Sequence, residues 1–117
     1  MDLKKWFLEQ AKQGMNDAVI ALNFNLYEEE DEGVYTAQLV GCARYDELND
    51  DWACEEEFSS GEELFEFKAS DWESAMEDFT EMAQDEIFSD DLPDFLEKIE
   101  VITAGFIDGE LEVLWKK

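Results

Sequence analysis

The sequence of 117 residues predicts a single α+β domain, residues 1–117, in which a mainly antiparallel sheet of about five or six strands packs against an N-terminal helix and a long amphipathic helix. Three observations support this fold class. Hydrophobic residues make up 45% of the chain, enough for a packed core. Several segments alternate apolar and polar residues between short polar turns, as strands in hairpins do. Two other segments carry apolar residues at helical spacing.

The first helix is predicted over residues 3–13, because Leu3, Trp6, Phe7 and Ala11 fall on one face at helical spacing. Four strands should follow, at residues 18–27, 34–45, 52–58 and 64–69, joined by turns at 28–33, 46–51 and 59–63. In an antiparallel meander the first and third turns would lie at one end of the sheet, and the second at the other.

A second helix is predicted to begin near Ser70, which forms a capping box with Glu73. Its apolar stripe runs from Trp72 to Ile87, and its opposite face is acidic. The remaining elements are a short helix over 91–98 and two strands, 101–107 and 110–116, around an Asp-Gly turn. The tryptophans on apolar faces, which we expect in the core, are Trp6, Trp72 and Trp115.

Acidic residues dominate the composition. The chain has 33 Asp and Glu residues against 8 Lys and Arg residues, a formal net charge of −25. Nucleic acids and anionic membranes would repel such a chain, because proteins contact them through Lys and Arg. A basic protein would be attracted, and its association would be accelerated. We therefore expect a basic protein partner and no direct contact with nucleic acid or membrane.

Missing residues exclude several kinds of chemistry. The sequence has no histidine, the most common general base at neutral pH and the most common metal ligand. Cys42 and Cys54 lack the spacing of a zinc site, and no dinucleotide-binding or P-loop motif is present. We therefore expect no enzymatic activity, no cofactor and no dedicated metal site. The sequence shows neither a secretory signal nor an apolar span, which favours a cytoplasmic protein with reduced thiols.

The segment YDELNDDWACEEEF, residues 45–58, combines clustered acids with three aromatic residues. An exposed aromatic side chain among carboxylates is a typical binding hot spot for a basic partner. Trp52 could serve in this way, or it could fill the core. In the predicted strand, alternation places Cys54 and Phe58 inward and Glu55 and Glu57 outward. The candidate partner-binding residues are Asp46, Glu47, Asp50, Asp51, Trp52, Glu55 and Glu57.

A small, very acidic α+β chain with this segment, the ending GFIDGELEVLW and no catalytic apparatus resembles the immunity proteins of bacterial toxin systems. Those proteins bind and neutralise a cognate toxin, often a basic nuclease, inside the producing cell. The resemblance implies that the acidic surface covers the cationic substrate-binding surface of a toxin. Two alternatives share the same electrostatics: a DNA mimic that inhibits a nucleic-acid-binding protein, and an acidic adaptor with no inhibitory role. The sequence leaves the oligomeric state open.

Overall fold

The structure is a computed structural model that describes residues 2–14, 17–46, 48, 52–53, 56–89, 92–106 and 110–117. It confirms the α+β class, with an N-terminal helix, a second helix and a sheet of six strands. In chain order the elements are α1 (Leu3–Gly14), β1 (Ala21–Glu28), β2 (Val34–Cys42), β3 (Glu56–Ser59), β4 (Phe65–Lys68), α2 (Trp72–Glu86), a 3₁₀ helix (Asp94–Leu96), β5 (Val101–Phe106) and β6 (Glu112–Lys116). α2 has only 15 residues, an ordinary rather than a long helix.

The sheet has the strand order β3-β2-β1-β5-β6, and β4 also pairs with β2. The pairing of β1 with β5 is parallel, and the other four pairings are antiparallel. The predicted antiparallel sheet is thus corrected to a mixed sheet. The reason is a crossover: α2 leads the chain from β4, beside β2, across one face of the sheet to β5, on the other side of β1.

β3 and β4 lie one after the other along a single edge of the sheet, because both pair with β2. β3 pairs near Val40 and Gly41, and β4 pairs with the first half of β2, from Val34 to Ala37. Between them the Ser60 amide donates a hydrogen bond of 2.8 Å to the Leu39 carbonyl. Residues 59–63 therefore interrupt the middle of an edge, and the prediction that they share one end of the sheet with turn 28–33 was wrong.

The main core lies between the two helices and one face of the sheet. Phe24 of β1 is fully buried at its centre, and its ring lies 5.7 Å from that of Phe7 in α1 and 5.0 Å from that of Phe79 in α2. Burial of an aromatic side chain of this size stabilises the fold by about 1.5–3 kcal/mol. The contacts of Phe24 therefore fix both helices against the centre of the sheet.

Asp71, rather than Ser70, caps the start of α2. The Asp71 backbone is extended, and its carboxylate accepts a hydrogen bond of 2.8 Å from the Ser74 amide. A carboxylate at this position also interacts favourably with the positive end of the helix dipole. The predicted capping box of Ser70 and Glu73 is thus replaced by a single Asp71 cap one residue later, and Trp72 becomes the first residue of the helix.

On the opposite face of the sheet, three hydrogen-bonded polar side chains lie near the centre. Asn23 has no exposed surface; its side-chain oxygen accepts a hydrogen bond of 2.8 Å from the Thr103 hydroxyl, and its amide nitrogen donates one of 2.7 Å to Asn25. These hydrogen bonds offset the cost of removing the Asn23 amide from water. The hydrogen bond between Asn23 and Thr103 also joins β1 to β5 through side chains, in addition to the backbone ladder.

Two glycines make room for the half-buried ring of Phe58 on β3. A Cβ atom at Gly14, the last residue of α1, or at Gly41, on β2, would overlap that ring. Phe58 therefore packs closely against the backbone of both elements. This contact explains why the predicted inward orientation of Phe58 holds even though β3 is an edge strand.

Gly41→Ala is expected to destabilise the protein by about 1–3 kcal/mol, because the Phe58 ring must move and Gly14 closes its other side. Urea unfolding followed by circular dichroism measures this loss. In the Phe58→Ala background the same glycine substitution should cost much less. An equal cost in both backgrounds would contradict the packing described.

Candidate protein-binding site

The predicted acidic segment is described only in part. Four of its candidate residues lie outside the described part of the chain: Glu47, Asp50, Asp51 and Glu55. Asp46 and Glu57 are both exposed. The Asp46 carboxylate accepts a hydrogen bond of 2.9 Å from the Leu48 amide, and the Leu48 side chain is 96% exposed. Asp46 and Glu57 thus have the accessibility that a partner-binding role requires.

Trp52, by contrast, belongs to the core. Its side chain is 1% exposed, in a small cluster with Val40, Cys42 and Val101 on the sheet face opposite the helices. The Tyr45 ring packs edge-on against the indole, with ring centroids 5.2 Å apart. Trp52 covers apolar side chains at the end of β2, and it is therefore not available as an exposed anchor. Of the two roles considered for it, the structure favours filling the core.

Trp72 is the tryptophan that the structure exposes, and its predicted place in the core was wrong. Its side chain is 58% exposed, whereas Trp6 is buried and Trp115 is half-buried. The Trp72 ring meets that of Phe106, the last residue of β5, at 89° with centroids 6.2 Å apart. The helix begins where β5 ends, so its first side chain has the sheet on one side only. The buried stripe of α2 starts three residues later, at Ala75.

A groove runs along α2 beside β6, with Trp72 in its wall. We call it the Trp72 groove; its volume is about 370 Å³, and it is lined by Trp72, Glu73, Met76, Glu77, Thr80, Glu81 and Glu112. The Gln84 side chain donates a hydrogen bond of 2.7 Å to the Leu114 carbonyl and so fastens α2 to β6. The two walls of the groove are therefore held at a fixed separation.

The Trp72 groove is negatively charged. Glu73, Glu77 and Glu81 repeat every four residues along α2, and Glu112 faces them from β6. Like charges at this spacing destabilise a helix by about 0.2–0.5 kcal/mol per pair. All four carboxylates are exposed, and within the described part of the chain no hydrogen bond or ion pair engages them. They are thus available to a cationic group from outside.

Other acids lie near the same end of the sheet. Burial raises the pKa of the Tyr35 hydroxyl, and the nearby charges of Glu28 and Asp71 raise it further. The Tyr35 ring also contacts that of Phe106, with centroids 6.0 Å apart. Since Phe106 contacts Trp72 in turn, the negative charges around the end of β5 include Glu28, the last residue of β1, and Asp71, the cap of α2.

A second groove lies on the opposite face of the sheet, around Tyr27 and Gln38, and it is also about 370 Å³. Several of its polar groups are occupied within the protein. The Tyr27 hydroxyl donates to the Gln38 side chain, which donates to the Gly61 carbonyl, and the Thr36 hydroxyl donates to Glu29. The Trp72 groove therefore offers more to a cationic ligand, because it combines an exposed indole with four carboxylates.

The signal for the Trp72 groove was present in the sequence. Glu73, Glu77 and Glu81 stand four residues apart and begin directly after Trp72, so on a helix they form one acidic row next to the row that Trp72 begins. Helical spacing also places Trp72 on the apolar stripe of α2. Whether the sheet covers this first residue of the stripe depends on where β5 ends, which the spacing does not reveal.

Among the described residues, no group of three or more Cys, Asp or Glu side chains is arranged to hold a metal ion, and no helix is long and apolar enough to span a membrane. Searches of protein-family models, curated proteins and solved structures found no match to this chain. The case for a function therefore depends on the chain's own surface.

Trp52→Ala is expected to destabilise the protein by about 3–5 kcal/mol, because it removes a fully buried side chain. Trp72→Ala should cost about 1 kcal/mol or less, because more than half of that side chain is already in water. Urea unfolding of both variants measures the difference. Similar losses in the two variants would mean that Trp72 is part of the core.

Proposed function

We propose that this chain is an immunity-type protein that binds a basic bacterial toxin inside the producing cell and neutralises it through an acidic surface. The observation that carries the proposal is the exposure of the acids. Every Asp and Glu in the described part of the chain is exposed, except the half-buried Glu86. None of these described carboxylates is buried in the core, so the excess charge is presented to partners.

The magnitude of the charge favours binding over solubility alone. With 33 acids and 8 bases, at least 25 carboxylates lack a basic residue of their own in the chain. Unpaired like charges oppose the compact state, and a small domain needs far fewer to remain soluble. A cationic partner would relieve this repulsion on binding. The same field would accelerate its association by about 10–1,000-fold at low ionic strength.

Long-range charge mainly accelerates association, and an exposed aromatic side chain that is buried on binding would slow dissociation. Binding hot spots are rich in Trp, Tyr and Arg, and they need removal from water on binding. Trp72 fits this role because it is exposed in the free protein and lies among carboxylates. Asp46 and Glu57 remain candidates for contact at the far edge of the sheet, as do the four predicted acids outside the described residues.

Affinity capture from the source cells tests the proposal. The tagged chain should capture a basic protein at low ionic strength and release it at high ionic strength. Expression of that protein alone should arrest growth, and co-expression of this chain should restore it. The proposal would be contradicted if the salt-sensitive partners were not basic, or if co-expression left growth arrested.

A further inference from the structure

We infer that the Trp72 groove receives an arginine side chain of the basic partner, with the guanidinium over the indole face and beside the carboxylates of α2 and β6. This inference rests on the proposed function and specifies one contact between the acidic surface and the basic partner. It makes an arginine-bearing protein segment the occupant of the groove.

The position of Trp72 suits a cation–π contact. The perpendicular contact with Phe106 supports the indole from the protein side, while 58% of the side chain remains exposed. A guanidinium within about 6 Å of an indole centroid is attracted by the negative ring face. Because this ring is already oriented, the Trp72 side chain would lose less conformational entropy in forming the contact.

The carboxylates around the indole favour arginine in particular. Glu73 and Glu77 are the lining carboxylates of α2 nearest to Trp72 along the helix, and Glu112 lies on the facing strand. A guanidinium can stack on the ring and direct its N–H groups towards carboxylates in its own plane, whereas a lysine ammonium is a compact point charge. The combination of a flat aromatic wall and acceptors on both sides therefore matches the shape of arginine.

Two other occupants of the groove are disfavoured by the charges. A second copy of this chain, docked symmetrically, would bring the four glutamates of one groove against those of the other, and each copy carries a net charge of −25. A nucleic acid would place phosphates against the same carboxylates. A cationic protein segment is the occupant whose charge complements the groove.

Titration with a tetra-arginine peptide tests the inference. At low ionic strength the peptide should shift the indole N–H resonance of Trp72 in a saturable way, more than those of the other three tryptophans. Loss of one resonance in Trp72→Leu identifies the signal. Calorimetry should show that this variant, which keeps an apolar side chain, binds about three- to tenfold more weakly. A tetra-lysine peptide of equal charge should bind the unmodified chain more weakly than tetra-arginine.

A matched pair of double variants separates the groove from general attraction. Glu73→Gln with Glu77→Gln should weaken tetra-arginine binding several-fold. Glu56→Gln with Glu66→Gln removes the same charge from the opposite edge of the sheet, at residues outside the candidate set, and should have a smaller effect. Thermal unfolding of all variants confirms that they are folded. Equal losses in the two double variants, or unchanged affinity in Trp72→Leu, would overturn the inference.

The outcomes for the groove and for the proposed function are distinguishable. Lysate capture and growth rescue could succeed while the peptide neither shifts the Trp72 resonance nor loses affinity in Trp72→Leu. The chain is then an immunity-type protein that binds through another surface, and the groove inference is wrong. If the peptide binds the groove but no basic protein is neutralised, the proposed function is wrong and the groove remains a site for cationic segments.

Discussion

The parallel pairing of β1 with β5 is the constraint on which the rest of the structure depends. It joins the pair β1–β2 to the pair β5–β6, and so it builds one sheet from the two ends of the chain. It also requires the chain to cross the sheet, and α2 makes that crossing. The helix therefore starts beside the end of β5. That position leaves Trp72 uncovered and creates a groove between α2 and β6.

Apolar packing, which stabilises the fold, and repulsion among acids, which destabilises it, occur in different parts of the molecule. Apolar side chains fill the core between helices and sheet, and a smaller cluster around Trp52 covers part of the other face. The described acids, apart from the half-buried Glu86, are exposed to water. Repulsion among those acids lowers stability without disturbing the packing. A cost of this kind is understandable when the same surface binds a cationic partner, which would neutralise the charge and shield the exposed indole.

Local patterns in the sequence predicted the fold class and most elements, because side-chain alternation and helical spacing are local properties. The residues of Leu3–Gly14 and the turn at Gly33, where φ is +80°, are examples. The parallel pairing was not predictable in this way, since it joins segments about eighty residues apart. The burial of Trp52 and the exposure of Trp72 depend on that long-range arrangement, because Trp52 packs on a face of the sheet whereas the sheet ends beside Trp72.

Hydrogen–deuterium exchange of this chain, alone and bound to the captured basic protein, tests most directly whether the surface around Trp72 is the binding site. Slower exchange on binding is expected in residues 72–81 of α2 and in residues 110–114 before and within β6, because the partner would cover both walls of the groove. Slower exchange confined to residues 43–59, with residues 72–81 unchanged, would contradict this assignment and place the partner at the opposite edge of the sheet.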